Sequence, residues 1–184
     1  VDRTANNRNL TQAVGTAATT SGLLGTALDT TATNVMLTDA DWAWTATDDL
    51  ISSGLYFMGN NDTGALWEWG NCTTDDCMAF LPWYDNATRG YHRFGETSGN
   101  DYNFNRDNSV WHHFTTIGKA ASGEINEFYE DDVLRDTYAQ SISGENPSKV
   151  GLKIGRYTTG TYMDIDVDEL RFSTGVPSDS WGKA

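Results

Sequence analysis

The apolar residues of this chain come in short stretches of about 4–8 residues, each bounded by Gly, Asn, Asp, Ser or Thr. No apolar i, i+3, i+4, i+7 stripe runs beyond two helical turns. That pattern excludes a helical bundle and reads as an all-β sandwich of many short strands. The 18 Gly against 3 Pro fit a chain with many tight turns and few stiff linkers. Its 184 residues are the size of one domain, so 1–184 reads as a single unit, excised from a larger surface protein.

The expected strands are Ala27–Leu28 running on to Val35–Leu37, Asp49–Phe57, Ala65–Trp69, Met78–Trp83, Gly90–Phe94, Trp111–Gly118, Glu124–Glu130, Val150–Gly155 and Met163–Phe172. Thr11–Ser21, rich in Thr and Ala, reads as a surface loop or edge strand, and the polar Asn100–Ser109 as a loop. Val176–Ala184 reads as a short helical turn with Trp181 docked. The strands around Trp67 and Met78 should form a hairpin.

The last strand carries a change of phase. Met163, Ile165 and Val167 alternate with Asp164, Asp166 and Asp168, but Leu170 and Phe172 fall in step with the acids. Such a slip is what a β-bulge produces, so a bulge is expected near Asp168–Glu169. The alternative is a central strand with both faces partly buried.

Acids outnumber bases 26 to 12, a formal charge of −14. Phosphate contacts need Lys and Arg, so nucleic acid is excluded as a partner, and anionic membrane surfaces are disfavoured. No stretch approaches the roughly 18 apolar residues of a membrane helix.

Cys72 and Cys77, with four residues between them, suit a disulfide closing a hairpin tip. A metal site is the competing reading, but neither His nor a further Cys lies nearby in sequence. A disulfide would place the chain outside the cytoplasm.

Three segments resemble the laminin-G-like, concanavalin A-type jelly rolls. Gly22-Leu-Leu-Gly25-Thr-Ala-Leu28 is similar to that family's early Gly-x-x-Gly-x-Ala-Leu segment. Trp111-His-His-Phe114, followed by Glu124-Ile-Asn-Glu-Phe-Tyr129-Glu-Asp131-Asp132, resembles its Trp-x-His-Val strand and Tyr-Val-Asp-Gly hairpin. Leu152-Lys-Ile154-Gly155, then Asp166-Val-Asp168-Glu169-Leu-Arg171-Phe172, resembles the closing Leu-x-Ile-Gly and Ile-Asp-Glu-Val-Arg-Ile strands. The resemblance implies two facing antiparallel sheets in jelly-roll order, with Trp111 in the core. Asp132 departs from the pattern, standing where the family has Gly.

Fold alone does not assign function. The leading expectation is a non-catalytic extracellular, cell-surface or virion-surface module for adhesion, binding a glycan or a surface protein. Trp67, Trp69, Trp83 and Tyr91 would form an aromatic platform for sugar rings, although a sandwich core also needs large inner residues. A structural or virion-surface module without a small ligand is the alternative. A structural Ca²⁺ would draw on Asp2, Asp166 and Asp168, because the first and last strands of a jelly roll are neighbours and hard cations take carboxylate oxygens. A carbohydrate-active enzyme using Asp164, Asp166 and Glu169 is the third reading. It is disfavoured because Asp stands where jelly-roll hydrolases of this kind carry a nucleophilic Glu.

Overall fold

The computed structural model describes residues 11–14, 18–29, 36–39, 49–58, 65–71, 76–82, 89–94, 100–103, 110–121, 125–139, 152–157, 161–162 and 165–174. In chain order the strands are β1 (Thr11–Val14), β2 (Ala18–Gly22), β3 (Gly25–Asp29), β4 (Met36–Asp39), β5 (Leu50–Met58), β6 (Trp67–Asn71), β7 (Asp76–Leu81) and β8 (Arg89–Phe94). They continue with β9 (Asn100–Asn103), β10 (Trp111–Gly118), β11 (Asn126–Glu130), β12 (Val133–Tyr138), β13 (Leu152–Ile154), β14 (Arg156–Tyr157), β15 (Thr161–Tyr162) and β16 (Ile165–Thr174). Two seven-stranded sheets result, in the orders β1-β4-β13-β6-β7-β8-β9 and β12-β11-β10-β5-β16-β3-β2, with a small β14-β15 ladder beside them. Every pairing is antiparallel. This is the all-β sandwich the short apolar stretches predict.

The sheet edges account for the differences from expectation. Thr11–Ser21, expected as a surface loop or edge strand, supplies β1 and β2, which do edge opposite sheets. Asn100–Asn103, expected as loop, is β9 and edges the first sheet. Val133–Tyr138, not expected as a strand, is β12 and edges the second. An edge strand pairs on one side only and tolerates polar and charged residues, so an apolar pattern does not reveal it. Ala27–Leu28 and Val35–Leu37, expected to run together, contribute to β3 and β4 in different sheets. Val176–Ala184 lies outside the described residues.

The core forms where the sheets face each other. Trp67, Trp69, Met78, Phe80 and Leu152 of the first sheet meet Leu50, Tyr56, Phe114, Phe128, Ile165 and Val167 of the second. Phe80 stacks on Phe114 at 4.9 Å between ring centroids. Inward hydroxyls are satisfied across the strands: Ser52 and Thr116 are register partners whose oxygens lie 2.6 Å apart.

The expected bulge is present in β16. Asp168 pairs with Leu55 but Arg171 pairs with Ser53, and Glu169 takes a left-handed φ of 51°. Val167 pairs with Tyr56, and beyond the bulge Phe172 pairs with Ser52, so both turn inward. Phe172 thereby reaches the first sheet, edge-on to Trp67 at 5.5 Å and to Trp69 at 5.7 Å.

The β11–β12 hairpin turns on Asp131 and Asp132, with φ values of 50° and 63°. Left-handed residues at both turn positions are the twist-compatible solution for a two-residue hairpin, usually met by Asn-Gly or Asp-Gly. Asp132 therefore adopts the conformation that the family's Gly supplies.

Candidate functional site

The candidate aromatic residues divide by the alternation of β6, β10 and β5. Trp67 and Trp69 are inward and have relative exposures of 0% and 1%. This corrects the expectation of a Trp67–Trp69 sugar platform: both rings are spent on packing against Phe172 and the facing sheet. Glu68 between them stands on the opposite side of the strand, is itself buried, and accepts a hydrogen bond from Lys153 Nζ at 2.6 Å.

Trp111 corrects in the other direction. Phe114 is fully buried in the core, and a residue three positions away on a regular strand points to the opposite face. Trp111 is accordingly half-buried on the outward face of the second sheet, beside Phe57, whose neighbour Tyr56 takes the inward position. The Phe57 and Trp111 rings lie 5.8 Å apart at 44°. The spacing to Phe114 was the available signal for this pair.

These rings begin a row that crosses the sheet. Trp111 pairs with Phe57, Phe57 with Asp166, Asp166 with Asp29 and Asp29 with Ala18. Cross-strand partners share a face, so the aromatic pair and two carboxylates line one strip. All five are half-buried, leaving part of each at the surface. In the adjacent row His113 pairs with Leu55 and Leu55 with Asp168.

Asp168 is not an open ligand. It is buried, and its Oδ2 accepts the Leu24 N–H at 3.0 Å, fastening the β2–β3 tip to β16. A Cβ on Gly22 would lie 2.5 Å from that oxygen, so only glycine allows the tip to approach this closely. Beyond the tip contact, Leu23 and Leu24 are 58% and 68% exposed.

A further row contains Tyr129, Thr115, Ser53 and Arg171. Thr115 Oγ1 is buried and has no hydrogen-bond partner among the described residues. Tyr129 donates its hydroxyl to Glu127 at 2.9 Å, and its pKa is raised by burial first, then by that bond and the Glu127 charge. Arg171 bonds Glu169 at the bulge.

Of the remaining expected residues, Trp83, Asp2, Asp164 and Cys72 lie outside the described residues. Tyr91 occupies a β8 position opposite Leu81, and Cys77 a β7 position opposite Gly70 in the expected β6–β7 hairpin. Among the described residues no three metal-ligating side chains gather at one point.

No protein-family model matches the sequence, and no curated protein matches it either. Solved structures do resemble the fold. Domain 4 of AbnA, a GH43 extracellular arabinanase from Geobacillus stearothermophilus solved in complex with arabinotriose, has a TM-score of 0.73 at 16% identity, over 98% of this chain and 89% of that one. The binding domain of Paraclostridial Mosquitocidal Protein 1 has a TM-score of 0.69 at 12% identity, over 99% of this chain and 48% of that one. Domains LG4-5 of the mouse laminin α1 chain have a TM-score of 0.53 at 13% identity, over 75% of this chain and 38% of that one. With two facing antiparallel sheets and these likenesses, the chain is a jelly-roll sandwich of the concanavalin A-like type, the laminin-G-like fold its motifs resemble.

Proposed function

We propose that this chain is a non-catalytic, extracellular binding domain that takes a glycan on the outward face of its second sheet. The observation that carries the reading is the half-buried Phe57–Trp111 pair, set side by side on the face away from the core. Sugar C–H faces pack against aromatic rings, whose π-faces carry negative charge density. Asp166 and Asp29, in the same row, supply acceptors for sugar hydroxyls. A carboxylate has about four acceptor sites, so its bonds within the protein leave capacity for a ligand. The arabinotriose bound to a similar domain of an extracellular arabinanase supports the ligand class and the extracellular setting.

Binding without cleavage fits the acids of β16. Hydrolysis of a glycosidic bond requires two carboxyl groups flanking the bond, one serving as a general acid. Asp168 is engaged by the Leu24 N–H and Glu169 by Arg171. The test is calorimetric titration of oligosaccharides into the wild type and Trp111→Ala, with a parallel assay for new reducing ends. The reading predicts saturable binding that weakens at least about tenfold in the variant, and no reducing ends. Equal binding by both proteins would move the site elsewhere, and released reducing ends would make the chain an enzyme.

An extracellular setting is consistent with a Cys72–Cys77 disulfide at the β6–β7 tip. Intact mass with and without reduction before alkylation tests it. The second reading, a structural or virion-surface module, draws on the exposed Leu23–Leu24 tip. It predicts no glycan binding at all.

A further inference from the structure

We infer that the β2–β3 tip is a side wall of the glycan site, where Leu23 and Leu24 receive a methyl substituent of the sugar. This rests on the glycan-binding reading above and adds the chemical class of the ligand. Gly22 pairs with Gly25, so Leu23 and Leu24 are the two residues of a tight turn, and Gly25 supplies a φ of 131°. The hairpin does not lie flat in its sheet. Alternate strands of a flat sheet are about 9.6 Å apart, yet β2 brings Cα atoms within 8 Å of β16 across the intervening β3. The Leu24 N–H fixes the direction of the curl, because it reaches the Asp168 carboxylate. Asp168 follows the inward Val167, so its side chain is on the outward face, the face of Phe57 and Trp111. Asp168 is two residues along β16 from Asp166, the partner of Phe57. Phe57 and Asp168 are therefore roughly 8 Å apart on that face. A sugar resting on Phe57 reaches the tip with a substituent or with the next unit of its chain.

The anchor explains where the tip sits but not which side chains it carries. It uses the backbone N–H of Leu24 and the close approach of Gly22, and neither depends on a leucine side chain. Turn positions ordinarily take Gly, Asn, Asp or Ser. Leu23 and Leu24 are 58% and 68% exposed, so the chain itself realises little of the stabilisation that burying a leucine gives. The residues flanking them, Thr19, Ser21, Gly25 and Thr26, are exposed and uncharged. Two leucines at a hairpin tip fall far short of the about 800 Å² per partner that a standard protein interface buries. They are enough to cover a methyl group. A 6-deoxy or N-acetyl sugar carries one, and it keeps the ring face for Phe57 and Trp111 and hydroxyls for the carboxylates of the same row.

The experiment titrates the whole chain with galactose against 6-deoxygalactose, and with cellotetraose against its N-acetylated counterpart chitotetraose. In at least one pair the methyl-bearing member should bind about fourfold more tightly, the factor that burial of one methyl group contributes. A preference in the first pair alone assigns the tip to deoxy sugars, and in the second alone to acetamido sugars. The ratio should fall to about one in Leu23→Ser/Leu24→Ser and fall part of the way in each single variant. Thermal midpoints of these variants should match the wild type, because the Leu24 N–H keeps its acceptor. Trp111→Ala should lose both members of the pair. Equal binding within both pairs, or a preference that survives the leucine variants, overturns the inference while the Trp111-dependent glycan site stands. Leucine variants that abolish self-association of the chain and leave the preference intact make the tip a protein contact, and the inference falls. Failure of every probe to show Trp111-dependent binding removes the site and the inference with it.

Discussion

Nδ1 of His112 lies 2.7 Å from Oδ2 of Asp131, and the other oxygen of the same carboxylate accepts the backbone N–H of His113 at 3.0 Å. The Asp131 N–H in turn donates to the His113 carbonyl at 2.9 Å. One aspartate thus ties the β11–β12 turn to the neighbouring strand by three contacts. The ties explain how a turn without glycine holds two consecutive residues in the left-handed region, where a side chain is disfavoured by about 1–2 kcal/mol.

Asp131 and Asp132 should therefore respond oppositely to substitution. Asp131→Ala removes the two carboxylate ties and keeps the backbone one, and is expected to destabilise by about 1–2 kcal/mol. Asp132→Gly relieves the strained backbone and loses only a long, exposed contact to His113, so it should be neutral or stabilising by up to about 1 kcal/mol. Urea denaturation of both variants checks the pair. Equal destabilisation would show that Asp132 contributes more than its backbone conformation.

The Asp168 anchor makes Gly22 an intolerant position. Gly22→Ala places a methyl group 2.5 Å from Asp168 Oδ2 and 3.0 Å from the Ala27 nitrogen. It should cost about 1–3 kcal/mol by overpacking. Asp168→Ala leaves the Leu24 N–H without its acceptor and should cost about 1–3 kcal/mol. Thermal melts measure both, and a Gly22→Ala midpoint equal to wild type would mean the tip does not sit on Asp168.

Trp67 and Trp111 separate packing from recognition. Trp67→Ala empties a fully buried site and is expected to destabilise by about 3–5 kcal/mol. Trp111→Ala, at a half-buried outward position, should cost far less stability and lose the ligand instead. Denaturation curves paired with titrations resolve the two, and the account fails if Trp111→Ala unfolds the domain as Trp67→Ala does.

Tyr129 predicts an alkaline limit. Its pKa is raised above the ordinary 10.0 by burial and by Glu127, so the folded state holds the phenolic proton more tightly than the unfolded chain. This contribution is fully present below pH 10.0 and is lost as pH climbs past it through the folded pKa. Tyr129→Phe should flatten that alkaline loss. Urea melts of wild type and variant on either side of pH 10 check it, and parallel pH profiles would contradict it.

Much of this was legible in the residues because period-2 alternation is a strong signal for half-buried strands. Trp67 and Trp69 declare a common face, and the phase change at Leu170 and Phe172 declares the bulge. Alternation within one strand does not say which face looks inward. That choice comes from the bulge, which turns Phe172 toward Trp67 and Trp69. The family resemblance puts Trp111 in the core, whereas its spacing of three from the buried Phe114 puts it on the outward face. β9 and β12 leave no apolar signal in the sequence, because an edge is held by backbone pairing, which polar side chains do not disclose. The Asp166–Asp29 pairing joins residues far apart in sequence, and only the sheet order brings them together.

The most direct test follows the indole N–H resonances of the tryptophans while a neutral tetrasaccharide is added. Trp111 should shift progressively and saturably, while the buried Trp67 and Trp69 hold their positions. A stationary Trp111 alongside a shifting indole elsewhere would place the ligand off this face and contradict the account.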